Sequence, residues 1–132
     1  MSIVGGVATG PRATAPRILV IDDERRILNF VSRGLRAEGF DAEVTDDGEA
    51  GLQLALDEQF DLVVLDLLMP GVNGFEAIPT LRRRHPDVAI VAYTAVAGDF
   101  VRKEMARLRI PLLLKSGNVT ALATKIRELA AH

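Results

Sequence analysis

Short apolar runs alternate along the chain with longer segments whose apolar residues recur at helical spacing. Residues 17–22 form the first β-rich run. Residues 24–38 then place Ile27, Leu28, Val31 and Leu35 on one helical face and stop at Gly39, a favoured residue just past a helix end. In 41–45, Ala42 and Val44 alternate with Asp41 and Glu43, so only one face of that strand is buried and an edge position is expected. Residues 47–57 read as a helix. The run Leu62-Val63-Val64-Leu65 within 61–66 is apolar on both faces, as a central parallel strand requires. A glycine-rich turn over 69–74 leads to a third helix ending near Arg84, followed by a strand at 88–93 and a helix at 99–108. The fifth strand, 110–114, contains Pro111, which lacks a ladder donor and therefore favours an edge. The last helix is expected to start at Asn118, a good N-cap. This alternation predicts an α/β fold, a five-stranded parallel sheet with helices on both faces. With right-handed crossovers and two edge-like strands, the order 2-1-3-4-5 fits.

A length of 132 residues suits one domain with a real core. Residues 1–16 lack a basic segment and are interrupted by Gly5, Gly6 and Gly10, so a flexible tail is expected there, with the folded domain over 17–132. The absence of cysteine excludes disulfides and thiolate metal sites. The longest apolar stretch, 88–97, is too short to span a bilayer and contains Tyr93 and Thr94, so no membrane partner is expected. The net charge of −2 hides an asymmetry: residues 1–66 hold 6 basic against 13 acidic side chains, residues 67–132 hold 10 against 5. No nucleic-acid-reading motif accompanies the basic half, so direct nucleic-acid binding is not expected.

Five polar residues follow directly on the apolar runs: Asp22, Asp23, Asp66, Thr94 and Lys115. If the runs are parallel strands, these side chains gather at the carboxyl edge of one sheet, where open α/β sheets bind ligands. Three carboxylates brought together repel and raise one another's pKa, so something cationic should sit among them. A hard divalent ion such as Mg²⁺ would take carboxylates, a backbone carbonyl and waters. An ionised Asp66 could then attack phosphorus as a nucleophile, while Lys115 supplies a point charge and Thr94 a hydroxyl to the phosphoryl oxygens. Taken singly, each residue has a plainer reading. Asp23 could cap a helix, Asp22 could be a turn residue, Asp66 a cap, Lys115 a solvated lysine and Thr94 a β-former. It is their joint placement that favours the chemistry.

In these residues the chain resembles the receiver domains of two-component response regulators. The matching segments are Asp22-Asp23 after Arg17–Ile21, Asp66 within Leu65-Asp66-Leu67-Leu68-Met69-Pro70-Gly71, Thr94-Ala95, and Lys115. The resemblance covers about residues 16–130 and implies a flavodoxin-like fold. It implies that Asp66 accepts phosphate from a histidine kinase, a phosphotransfer protein or a small phosphodonor. It further implies Mg²⁺ held by Asp23, Asp66 and the backbone carbonyl of Leu68, with Asp22 acting through water, and a phosphoryl group held by Thr94 and Lys115. Such a domain is regulatory rather than enzymatic. It is cytoplasmic and bacterial, and it serves a downstream protein effector or a fused output domain. A monomer or weak dimer is expected, because Arg102, Lys103, Arg107 and Arg109 make the fourth helix one-sidedly basic.

The chain departs from the family's pattern after Thr94. Leu112 stands three positions before the lysine, where receivers carry an aromatic switch residue, and Ser116 follows the lysine in place of proline. A receiver-like interaction module that does not switch is therefore a second reading. An Asp-nucleophile, Mg²⁺-dependent phosphatase is a third, although Asp22-Asp23-Glu24 lacks the Asp-x-Asp pattern such enzymes carry after their first strand.

Overall fold

The computed structural model describes residues 15–95, 97–115 and 119–130, the side chains of Val72 and Asn73 excepted. Expectations for residues 1–14, Ser116 and Asn118 lie outside the described residues. The elements in chain order are β1 (Arg17–Ile21), α1 (Arg25–Ala37), β2 (Asp41–Thr45), α2 (Gly48–Asp57), β3 (Leu62–Leu65), α3 (Gly74–Arg84), β4 (Ala89–Thr94), α4 (Asp99–Arg107), β5 (Leu112–Leu114) and α5 (Thr120–Ala130). Between β3 and α3, Leu68–Met69 pairs antiparallel with Val72–Asn73. The main sheet is parallel throughout in the order β2-β1-β3-β4-β5, as the apolar pattern predicts.

Period-2 alternation within the strands divides the core in two. Ile18 and Val20 of β1, Leu62 and Val64 of β3, and Val91 and Tyr93 of β4 pack with Leu28, Val31 and Leu35 of α1 and Leu122 and Ile126 of α5. Leu19, Ile21, Val63, Leu65, Ile90 and Ala92 pack on the other face with Ala55 of α2, Ile78 and Leu81 of α3 and Met105 of α4. Burial of each such aliphatic side chain is worth about 1.5–3 kcal/mol, so the three inner strands hold the frame on which the sheet edge is displayed. At the opposite, amino-terminal edge Arg17 ties β1 to its surroundings. Its guanidinium lies 2.6 Å from Glu43, 2.6 Å from Glu58 and 4.3 Å from the centre of the Phe60 ring.

The described element ends fall within two residues of the sequence expectation, and the shift at the fifth strand has a backbone reason. The fifth strand begins at Leu112 rather than residue 110 because the Ile110 N–H is used to close α4, donating to the Met105 carbonyl at 2.8 Å. Pro111 contributes only its carbonyl, which accepts from Ala92 N–H at 2.9 Å. The helix expected from residue 24 begins at Arg25, with Glu24 in the N-cap position.

Helices α1 and α4 end in the same way. After α1, Gly39 N–H donates to Arg36 and Phe40 N–H to Leu35, with Gly39 at φ +96°. After α4, Arg109 N–H donates to Ala106 and Ile110 N–H to Met105, with Arg109 at φ +58°. This is the Schellman arrangement, whose left-handed position suits glycine and costs a side-chain-bearing residue about 1–2 kcal/mol. Arg82 of α3 donates to the carbonyls of Leu108 and Arg109, which helps hold the turn in this conformation. Arg109→Gly is therefore expected to stabilise the fold by about 1 kcal/mol. Urea unfolding midpoints compared at equal m-values would show it, and a lower midpoint for the variant would contradict it.

Candidate phosphoacceptor and metal site

The ladder bonds of the sheet continue one residue past the strands and thereby place the polar residues. Asp22 N–H donates to Thr45 at 3.2 Å, Asp66 N–H to Ile21 at 3.0 Å and Lys115 N–H to Thr94 at 2.8 Å. Asp22, Asp66 and Thr94 are buried, and Asp23 is exposed. Each buried aspartate also folds back on its own loop: Asp22 Oδ1 accepts from Glu24 N–H at 2.9 Å, and Asp66 Oδ1 accepts from Leu68 N–H at 3.1 Å. Asp22 is thus a turn residue as well as a candidate site residue, while Asp23 does not cap α1.

The second oxygens of the two buried aspartates face one lysine. Lys115 Nζ lies 2.5 Å from Asp22 Oδ2, 3.1 Å from Asp66 Oδ2 and 3.5 Å from Glu24 Oε1. The lysine side chain is 6% exposed, so these contacts are poorly screened. Burial pushes the Asp22 carboxyl up, and Lys115 and the Glu24 N–H oppose that rise only in part. Burial likewise works against the Lys115 charge, but the close carboxylates of Asp22 and Asp66 outweigh it and hold the ammonium above its ordinary range. The contact with Asp22 is a close ion pair rather than an aligned hydrogen bond, because Asp22 Oδ2 is buried with no hydrogen-bond partner. Among the described residues one cation, Lys115, meets the buried pair Asp22 and Asp66, which leaves the three-aspartate cluster short of positive charge.

The donor set fits a hard divalent ion. Carboxylate oxygens of Asp22, Asp23 and Asp66 lie within 4.8 Å of one another, two of the three residues are buried, and Asp22 Oδ2 has no hydrogen-bond donor aligned to it. Leu68, whose carbonyl the resemblance adds to the metal set, lines the same cleft of about 180 Å³ with Asp23, Glu24, Asp66, Thr94, Ala95 and Lys115. All the sequence-derived site residues therefore meet at one place. Glu24 is the residue that sequence reasoning missed as a partner of Lys115. A larger depression of about 290 Å³ lies at the opposite sheet edge, by Asp61, Arg84, His85 and Asp87, but no metal-ligand cluster forms there among the described residues.

Comparison with known proteins agrees with this geometry. A family model described as response regulator receiver domain matches residues 18–127. The chain belongs to that family. Among curated relatives, the transcriptional regulatory protein PcoR of Escherichia coli is 31% identical over 116 residues, which is 86% of this chain and 50% of PcoR. The transcriptional regulatory protein PrrA of Mycobacterium tuberculosis is 37% identical over 82 residues, 62% of this chain and 35% of PrrA. The receiver thus spans about half the length of the curated relatives it matches. Among solved structures, the response regulator TrrA of Thermotoga maritima, in complex with Mg²⁺ and BeF, is 31% identical with a TM-score of 0.77, covering 86% of this chain and 98% of that one. A CheY-like receiver from Methanospirillum hungatei has a TM-score of 0.82 at 24% identity over 89% of this chain and 94% of that one, and shares the fold. The protein is a receiver domain of two-component response regulators, a regulatory domain whose acidic cluster can hold a metal ion. None of the described helices is long and apolar enough to cross a membrane.

Proposed function

We propose that Asp66 is the phosphoacceptor and that the reaction depends on Mg²⁺. The observation that carries this reading is the buried Asp66 carboxylate, paired with Lys115 at 3.1 Å inside a cluster of three aspartates. Asp23, Asp66 and the Leu68 carbonyl would hold the ion, with Asp22 behind them; when bound, it neutralises charge on the transferring phosphoryl group. An Asp66 carboxylate oxygen attacks phosphorus and the bond from phosphorus to the donor's leaving group breaks. The leaving group departs with the electron pair. Lys115 and the Thr94 hydroxyl hold the phosphoryl oxygens. The chemistry is self-phosphorylation and self-dephosphorylation, not turnover of a substrate. The donor would be a histidine kinase or phosphotransfer protein in the cytoplasm, and the readout a protein effector or a fused output domain. The folded unit is proposed to run from residue 17, with the preceding residues as a tail.

Beryllofluoride with Mg²⁺ tests this reading. Amide resonances of Asp66, Thr94 and Lys115 should shift together, and no Mg²⁺-dependent shift at these residues would contradict it. The same spectra test the switch. Leu112 pairs with Ala92 and packs on the α2–α4 side of the sheet, whereas Tyr93 is buried on the other side. Tyr93 therefore cannot follow Thr94 inward, and leucine can repack with little new exposure. Changes over residues 112–114 should be small and those near Ala95 and Gly98 larger; large changes centred on Leu112 would show that it switches after all.

Leu68, 58% exposed at the cleft, has no group to orient an attacking water. With Leu68 supplying no general base at this position, self-dephosphorylation should be slow, with a half-life of roughly minutes to hours. Loss of the label within seconds at neutral pH would contradict this. A monomer or weak dimer is proposed for the unphosphorylated state. Arg102 and Lys103 of α4 are exposed, although Arg107 is paired with Glu104 at 3.0 Å, which tempers the basic face.

A further inference from the structure

Glu24 stands at the mouth of the cleft in a position its own helix does not explain. It is the N-cap of α1 yet makes no side-chain cap hydrogen bond, and the first turn of α1 contains no acidic residue. Glutamate is not among the favoured caps. The Asp22 Oδ1 bond to Glu24 N–H sets the chain path at this point, and the Glu24 carboxylate reaches over the cleft to within 3.5 Å of Lys115 Nζ. Arg25, the next residue, is turned to Asp46 at 2.8 Å and so does not neutralise it. Among the carboxylates lining the cleft, Asp23 and Asp66 belong to the metal-ligand cluster and Glu24 does not. Its side chain is 61% exposed and lines the cleft with Asp66 and Thr94.

Resting on the assignment of Asp66 as phosphoacceptor, we infer that Glu24 determines donor specificity: its carboxylate disfavours small, strongly anionic phosphodonors at the cleft. When acetyl phosphate reacts, the phosphorus–oxygen bond to acetate breaks and acetate leaves with the electron pair, while an Asp66 oxygen bonds phosphorus. Glu24 takes no part in these bonds. It acts on the approach of the anion, which makes it a specificity residue rather than a catalytic one. A donor carrying less negative charge, or a protein donor that brings a basic side chain to meet Glu24, escapes the penalty.

The test is the initial rate of phosphorylation of the full chain by acetyl phosphate at saturating Mg²⁺, over a range of ionic strength. Glu24→Gln should be about threefold to tenfold faster than the parent at low salt, and the ratio should fall toward one near 1 M salt, where the Debye length is only about 3 Å. With phosphoramidate, which carries less net negative charge, the gain should be smaller. Glu24→Asp keeps the charge and should stay slow. Equal rates for parent and Glu24→Gln at all salt concentrations would overturn the inference, as would a Glu24→Asp protein as fast as Glu24→Gln. If neither parent nor variants take up a phosphoryl group, the assignment of Asp66 fails instead, so the two failures are distinguishable.

Discussion

Asp66→Asn is expected to abolish phosphoryl uptake completely while leaving a folded protein. The amide is not a nucleophile, and among the described residues Asp66 is the buried carboxylate that lines the cleft with Thr94 and Lys115. Removing one of the two buried aspartates that share Lys115, within a cluster of three, also relieves repulsion, so the variant should be no less stable than the parent in metal-free buffer. Mg²⁺ should then stabilise it less than it stabilises the parent, because one ligand has lost its charge. Intact mass after treatment with acetyl phosphate reads the first effect and thermal unfolding with and without Mg²⁺ reads the second. A variant that still gains one phosphoryl group would remove Asp66 from its role.

Lys115→Ala should have the largest effect on stability. The lysine side chain is 6% exposed, and its loss leaves Asp22 and Asp66 buried without their cation. Breaking a buried pair in this way costs about 3–5 kcal/mol, and the open cleft places this case near the lower end. Mg²⁺ should restore part of the loss, by about 2.7 kcal/mol at a hundred times its dissociation constant. The pH dependence has a definite sign. The folded-state pKa of Lys115 is raised above the ordinary 10.5, so its stabilisation is fully present below pH 10.5 and is lost as pH rises through the raised value. The parent should therefore weaken in that alkaline window, and the alanine variant should lack this component. Urea unfolding of both proteins across that pH range, without metal, checks it; a variant as stable as the parent at neutral pH would contradict the buried ion pair.

Much of this architecture is legible in the amino-acid sequence because it rests on local pattern. A run such as Leu62–Leu65, apolar at every position, can only be buried on both faces, and a strand such as Asp41–Thr45 with alternating acids can only be half covered. Those two facts place β3 inside and β2 at an edge, and with them the residues that follow each strand. Asp22, Asp66, Thr94 and Lys115 were readable for the same reason: each directly follows a strand or, for Thr94, closes one.

Features set by contacts between distant segments were not readable. Nothing in the sequence around Ile110 shows that its N–H serves α4 rather than β5, since that depends on Arg109 adopting a left-handed conformation where glycine would ordinarily stand. The hold of Arg82 on the end of α4 joins residues 26 and 27 positions apart. The reach of Glu24 to Lys115 depends on how β1 and β5 lie across the sheet. The one available signal was a glutamate at a helix N-cap, where it is a poor choice.

The central claim, that the site is a Mg²⁺-dependent phosphoacceptor, is tested most directly by the intact mass of the unmodified protein after incubation with acetyl phosphate, with Mg²⁺ and with EDTA in its place. The geometry predicts one added phosphoryl group in Mg²⁺, none or a trace in EDTA, and its removal by hydroxylamine, which attacks acyl phosphates. An unchanged mass in Mg²⁺, or a label that forms equally well in EDTA, would contradict it.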